Sequence, residues 1–194
     1  MMLNRDDLYT LEQYHTERPA FKQKVLQHKL HRQVSLGPNA TLYFEDRTTI
    51  QYQIQEMLRV ERIFEAEAIQ EELDAYNPLI PDGNNWKATF MIEYDDVEQR
   101  RVALEKLVGV EDQIWMQVDG HERVFAIADE DLERSRESKT SAVHFMRFQL
   151  DAEMVASALG GAAISAGAAH PELSVETGPL SVEITKSLVA DLQA

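Results

Sequence analysis

The sequence predicts an α+β fold, with N-terminal helices, including one long helix, packed on a largely antiparallel sheet. Two observations carry this prediction. Apolar residues recur at helical spacing through most of the chain up to Tyr76, whereas several later segments alternate apolar and polar residues as half-buried strands do. Two of those later segments flank the turn-forming sequence DGHE, which is typical of an antiparallel hairpin. We expect one domain over residues 1–194, with a candidate internal boundary at residues 77–85.

The N-terminal part is predicted to hold three helices. Asn4 can cap the first, and Pro19 is expected to open the second, because proline is tolerated in the first helical turn. The third helix is the long one, and it runs from about Thr48 to Tyr76 with its apolar residues on one face. The proline- and glycine-rich sequence NPLIPDG then ends it.

The rest of the chain is predicted to be mainly strands. They are expected at residues 41–44 and over the sequences WKATFMIEY, QIWMQV, RVFAIA and SAVHFMRFQL. Helical spacing predicts an amphipathic helix over DVEQRRVALEKLVGV and a short helix over residues 152–159. In the tail, AAISAG and LSVETG are candidates for short strands and SVEITKSLVADLQA for a final helix. His144 alternates within its strand, and we expect it in the core.

The composition excludes several classes of function. With 34 acidic and 19 basic residues, the formal net charge is -15, which repels phosphate backbones and anionic bilayers. We therefore expect neither nucleic acid nor membrane as a partner. There is no cysteine, which excludes disulfides, thiolate catalysis, iron–sulfur clusters and cysteine zinc sites. Because neither a secretory signal nor an 18-residue apolar stretch is recognisable, a cytoplasmic protein is expected, with homo-oligomerisation left open.

Three glutamates interrupt the apolar stripe of the predicted long helix. Glu61, Glu65 and Glu72 fall within it, and the first two are four residues apart, so that their carboxylates would lie side by side. Buried carboxylates at this separation repel each other and need a cation, a shared proton or an arginine. The sequence leaves three interpretations open: an ion pair with an arginine such as Arg18 or Arg59, a metal site, or a polar ligand pocket.

The metal hypothesis combines Glu61 and Glu65 with Glu12 and His15. The last two stand at i and i+3, the Glu-x-x-His spacing of carboxylate-bridged di-iron bundles, and iron or manganese is the metal that such ligands suggest. Such a site needs a second Glu-x-x-His, which the sequence lacks. No H-E-x-x-H, G-x-S-x-G, P-loop or G-x-G-x-x-G motif is present either. The remaining candidate is a small-molecule pocket between the long helix and the sheet.

Several long segments carry a family resemblance. They are TIQYQIQEMLRVERIFEAEAIQEELDAYNPLIPDGNNWKATFMIEY, RDDLYTLEQYHTERPAFKQKV, GHERVFAIADEDLERS and KTSAVHFMRFQL. These segments resemble a bacterial domain-of-unknown-function family, numbered three-five-zero-one, from about Leu3 to Leu150 and more loosely in the Ala-rich tail. Members of that family are often encoded beside rubrerythrin and an iron–sulfur oxidoreductase.

The resemblance implies a role rather than a set of catalytic residues. It points to an accessory or binding protein in a bacterial redox or peroxide-defence system, with a redox protein as its partner. Because the chain has no cysteine, the iron–sulfur cluster of such a system would belong to that partner. A metal-dependent oxidoreductase with a carboxylate–histidine site, or a small-molecule-binding protein, is the alternative.

Overall fold

A computed structural model describes residues 2–130 and 138–193, and in that part it confirms the α+β fold. The end of the family segment GHERVFAIADEDLERS, from residue 131 onward, lies outside the described residues. The helices are α1 (Leu11–Lys29), α2 (Arg47–Glu61), α3 (Ala66–Tyr76), α4 (Val97–Lys106), α5 (Ala152–Leu159) and α6 (Val182–Val189). The strands are β1 (Gln33–Ser35), β2 (Ala40–Phe44), β3 (Asn85–Ile92), β4 (Ile114–Val118), β5 (Val124–Phe125), β6 (Ile127–Ala128), β7 (Val143–Gln149), β8 (Ile164–His170) and β9 (Leu173–Glu176).

The strands form two antiparallel sheets. One has the order β1-β2-β3-β7-β6 and the other β5-β4-β8-β9. The sequence RVFAIA, predicted as one strand, is divided at Ala126, because β5 pairs with β4 whereas β6 pairs with β7. The chain therefore passes from one sheet to the other within this short segment.

The main core is shared by the two sheets. Alternate residues of the five-stranded sheet, such as Trp86, Phe90 and Phe148, are buried together with Ile114 of the four-stranded sheet. This alternation is the pattern that the sequence presented, since successive strand side chains point to opposite faces. The C-terminal helix α6 is fastened to this core because Trp86 Nε1 donates a hydrogen bond to the carbonyl of Leu188 at 2.9 Å.

The opposite face of β4 carries a buried tryptophan. Trp115 pairs in register with Gly167 of β8, and its indole occupies the space where a side chain at Gly167 would stand. The guanidinium of Arg123 stacks over the ring at 3.9 Å from its centroid and forms an ion pair with Glu176. The absence of a side chain at Gly167 is therefore a packing requirement.

The predicted break at Pro19 is wrong. Pro19 lies inside α1, which is continuous from Leu11 and is capped by Thr10. Buried residues lie on both sides of the proline, with Tyr14 before it and Phe21 after it. An interior proline costs a helix about 3 kcal/mol, and the continuous apolar face that α1 presents to α2 offsets this. The predicted N-terminal helix is a short 3-10 turn, which Asn4 does cap.

The predicted continuous helix from Thr48 to Tyr76 is also wrong. It is broken after α2 at Arg62, which has the left-handed φ of 55°, and α3 starts only at Ala66. Leu58 of α2 and Leu73 of α3 are buried in the same small apolar cluster. In an unbroken helix these two side chains would stand about 22 Å apart along the axis. The turn brings the two side chains together, and the free energy gained by burying them in one cluster favours the break.

The helix α3 and the turn that follows it lie beside the outer face of the five-stranded sheet. Lys87 of β3 fastens this turn, because its ammonium donates to the carbonyls of Pro78 and Ile80 at 2.8 and 3.0 Å. Within the described residues, no helix is long and apolar enough to cross a membrane.

Candidate functional site

A cavity of about 530 Å³ lies between α3 and the outer face of the five-stranded sheet. Its walls are mainly apolar, and its volume is in the range of small-molecule pockets. The apolar wall consists of Met57, Ala75, Tyr76, Pro78, Leu79, Phe145 and Met146. Charged groups lie among them: Glu72, Asp74, Lys87, Glu130 and Arg147. This is the place where the sequence predicted a pocket between the long helix and the sheet, with α3 now as the helical wall.

The two cations among the described residues of the cavity are already engaged within the protein. Lys87 donates to the two turn carbonyls, and burial lowers the pKa of its ammonium. Arg147 forms a two-pronged ion pair with Glu130, with Nε–Oε2 and NH2–Oε1 distances of 2.9 and 2.8 Å. It also donates to the side chain of Gln149 at 2.6 Å. Both side chains therefore make contacts within the protein, and each holds part of the cavity wall in place.

Unlike the side chains of Lys87 and Arg147, the carboxylate of Glu72 has no ion-pair or hydrogen-bond partner among the described residues. It is half-buried in the cavity wall, and burial raises the pKa of Glu72, with the nearby charges of Glu61 and Glu71 adding to the effect. No ion pair or hydrogen bond to its carboxylate is made by the residues that the structure describes. Of the three glutamates in the predicted stripe, Glu72 is the one that the structure places in a pocket.

The four predicted metal ligands are not brought together. Glu12 and His15 lie on the exposed face of α1. Glu61 is the last residue of α2, whereas Glu65 precedes α3, so the two do not share a helix, and both are exposed. The premise of side-by-side buried carboxylates is therefore wrong. Across residues 2–130 and 138–193, no three histidine, aspartate or glutamate side chains are grouped so as to hold a metal ion.

Within residues 2–130 and 138–193 no arginine pairs with the predicted glutamates, whereas two arginines pair with Glu56. Arg18 binds Glu56 with Nε–Oε1 and NH2–Oε2 distances of 2.7 and 2.8 Å, and Arg59 adds a contact at 3.2 Å. Tyr14 donates its hydroxyl to the same carboxylate at 2.7 Å. The hydrogen bond from Arg18 is the main reason why the pKa of Glu56 falls to about 2. These contacts fasten α1 to α2. No sequence pattern marked Glu56, because it stands outside the apolar stripe of the predicted helix.

A second polar cluster surrounds the buried guanidinium of Arg32, which is 2% exposed. Its five N–H groups are all used, by the carbonyls of Phe44, Glu45 and Ser187, the Ser187 hydroxyl and the carboxylate of Asp191 at 2.6 Å. The cluster thereby joins β2 to α6. It faces a polar cavity of about 430 Å³, but Arg32 has no donor left for a ligand there.

Two further titratable groups belong to the Arg32 cluster. His28 Nε2 lies 2.5 Å from Asp46 Oδ2, and the other oxygen of Asp46 caps α2. Burial raises the pKa of Asp191 to about 6, against the opposing charge of Arg32. Burial also acts on Asp46, but Arg32 and the capping hydrogen bonds outweigh it and hold the pKa of that carboxyl below its usual value. These contacts give the Arg32 cluster a structural role.

A third cluster is centred on His144, which is fully buried as expected. Its Nδ1 lies 2.6 Å from Asp129 Oδ2, and its Nε2 lies 2.8 Å from Thr140 Oγ1. Thr140 donates to Glu111 at 3.1 Å. The order carboxylate–imidazole–hydroxyl resembles a nucleophilic triad, but the Thr140 hydroxyl donates its proton to Glu111 and not to His144. Thr140 is only 1% exposed, however, so its hydroxyl is beyond the reach of a substrate in this structure.

Comparisons with known proteins agree with the resemblance noted in the sequence. The family model for "Protein of unknown function (DUF3501)" matches residues 2–192. A crystal structure of a novel protein of unknown function from Burkholderia pseudomallei K96243 is 50% identical, covers 100% of both chains and superimposes with a TM-score of 0.95. Among curated proteins, none matches. The chain therefore belongs to the DUF3501 family of proteins of unknown function.

Proposed function

We propose that this protein is a non-catalytic binding protein that holds a small molecule in the cavity between α3 and the five-stranded sheet. The observation that supports it is the combination of a volume of about 530 Å³, a mainly apolar wall and a few convergent charges. A ligand that buries about 200 Å² of apolar surface there gains about 5 kcal/mol before the cost of association. That is enough for useful affinity if one polar contact adds to it.

The residues that line the cavity support ligand binding without catalysis. Its described residues include no serine, threonine or histidine, so an acid–base pair with a nucleophile is not assembled there. Among the described wall residues Lys87 is the one amine, and its nitrogen already donates to the carbonyls of Pro78 and Ile80. These bonds tie the amine to the turn after α3, so it is not presented to a ligand as a free nucleophile.

The partner is the second part of the proposal, and it rests on the family resemblance. We place the protein beside a bacterial redox or peroxide-defence system, where it would act as an accessory subunit and its partner would carry the redox centre. Affinity purification of the tagged protein from its native host, with and without oxygen, tests this. Co-purification of an iron–sulfur oxidoreductase or rubrerythrin is expected, and a clean monomer under both conditions would contradict it.

A pair of matched variants tests the binding function. Ala75 is an exposed residue of α3 that lines the cavity, so Ala75→Phe places a ring in its mouth without disturbing the core. Ala156→Phe adds the same ring to an exposed site on α5 away from the cavity. Wild-type protein and both variants are screened against a library of small organic molecules by thermal shift and ligand-observed NMR.

The expected outcome is a set of ligands that stabilise wild type and the Ala156→Phe variant but not the Ala75→Phe variant. A ligand at one hundred times its Kd stabilises the folded state by about 2.7 kcal/mol, which a thermal shift detects easily. Ligands that stabilise all three proteins equally would place the binding site elsewhere and overturn the proposal.

A further inference from the structure

We infer that the ligand of this cavity is a small organic cation, an amine or quaternary ammonium group carried on an apolar body. This inference rests on the proposed function, since it concerns the same cavity.

The charge inventory of the wall leaves an excess of carboxylate. Arg147 and Glu130 neutralise each other through their two-pronged ion pair. The ammonium of Lys87 faces two carbonyls and lies 3.7 Å from Asp82 Oδ2. Among the described wall residues, Glu72 and Asp74 of α3 are then the remaining charges, and both are negative.

The residues that the structure describes compensate the charge of those two carboxylates only weakly. Asp74 accepts one hydrogen bond, from the neutral side chain of Gln70 at 2.7 Å. Glu72 accepts none from the described residues, although it is half-buried and stands near the like charges of Glu61 and Glu71. A carboxylate in that position is stabilised by a cation, and none of the residues that the structure describes supplies one. A ligand ammonium in the cavity would do so.

An aromatic residue of the wall suits the same group. Tyr76 of α3 lines the cavity, and aromatic ring faces attract ammonium groups, most strongly when water is excluded. An anionic ligand would be disfavoured. It would be repelled by Glu72 and Asp74, and it would have to displace Glu130 from Arg147.

Three probes of one shape test the ligand class: 2-phenylethylamine, 2-phenylethanol and phenylacetate. The first is a cation, the second is neutral and the third is an anion at pH 7. Their Kd values are measured by ligand-observed NMR on wild-type protein, Glu72→Gln and Glu71→Gln. Glu71 is exposed on the same helix and does not line the cavity, so Glu71→Gln removes an equal charge as the control.

We expect wild type to bind the amine about fivefold more tightly than the alcohol, the effect of one partly exposed ion pair, and to bind phenylacetate most weakly. Glu72→Gln should abolish most of that preference, and Glu71→Gln should keep it. If the alcohol or phenylacetate binds wild type as well as the amine does, or if Glu72→Gln retains the preference, the inference is wrong while the binding function stands. If none of the probes binds with a Kd below about 10 mM, both fail.

Discussion

Replacing Arg32 by methionine should test the Arg32 cluster most severely. The guanidinium uses five N–H groups inside the protein and lies against two carboxylates, Asp191 at 2.6 Å and Asp46 at 3.5 Å. Methionine keeps much of the volume but leaves a buried carboxylate without its cation. Breaking a buried pair in this way costs about 3–5 kcal/mol, which is a large part of the stability of an ordinary domain. Urea unfolding followed by circular dichroism measures the loss.

The double variant Arg32→Met/Asp191→Leu separates the charge effect from simple misfolding. It removes the carboxylate together with its cation, and it should therefore be more stable than Arg32→Met alone, because a buried pair can be replaced by apolar groups at little cost. A loss below about 1 kcal/mol for the single variant would refute the reasoning. So would a double variant whose loss equals the sum of the two single losses.

The pH dependence of Asp191 gives an independent check. Its pKa is about 6 in the folded protein, above the ordinary value of 3.8, so its contribution to stability is fully present below pH 3.8 and is lost as the pH rises through 6. The loss is at most about 3 kcal/mol. In Asp191→Asn, stability should no longer fall across this window. If wild type and Asp191→Asn show the same pH profile from 4 to 7, the assignment to Asp191 is wrong.

Three further changes probe the packing and the surface acids. Gly167→Ala should cost about 3 kcal/mol, because the new methyl carbon would overlap the Trp115 indole, and an unchanged melting temperature would contradict this packing. Glu56→Gln should cost about 2 kcal/mol at pH 7, and the difference from wild type should shrink as the pH falls from 4.5 towards 2, where Glu56 itself becomes protonated. A difference that persists undiminished at pH 2 would show that the charge on Glu56 is not responsible. Glu61→Gln should change stability by less than about 0.5 kcal/mol and leave the metal content unchanged, because Glu61 is exposed; loss of a bound metal would restore the metal hypothesis.

The features that the sequence predicted correctly are those with local causes. The strand alternation around Trp86 and the helix over residues 152–159 follow from residue spacing alone. The same holds for the cap at Asn4, where a short polar side chain accepts from the backbone of the following turn. These features depend on neighbours within a few positions, which the sequence displays directly.

The errors have distant causes. The break at Arg62 involves neither glycine nor proline, and it follows from the joint burial of Leu58 and Leu73. Pro19 stays inside α1 because residues on both sides of it pack against α2. In each case tertiary packing outweighs a local preference, and nothing within the segment itself signals this.

The candidate site was accessible from the sequence only in part. Glu72 stood out as an acid in an apolar stripe, which is correct, whereas Glu61 and Glu65 were included because the helix was taken as unbroken. The opposite wall of the cavity comes from the outward-facing residues of β3 and β7, including Lys87 and Arg147. Their position opposite α3 depends on how the helix is laid beside the sheet, which no pattern in either segment specifies.

The central claim is that the cavity between α3 and the five-stranded sheet is a ligand site, and chemical-shift mapping tests it most directly. In a titration of isotope-labelled protein with 2-phenylethylamine, the account predicts that the largest amide shifts fall on Ala75, Tyr76, Phe145 and Arg147. Saturable shifts concentrated elsewhere, for example around the polar cavity beside Asp191, would contradict it.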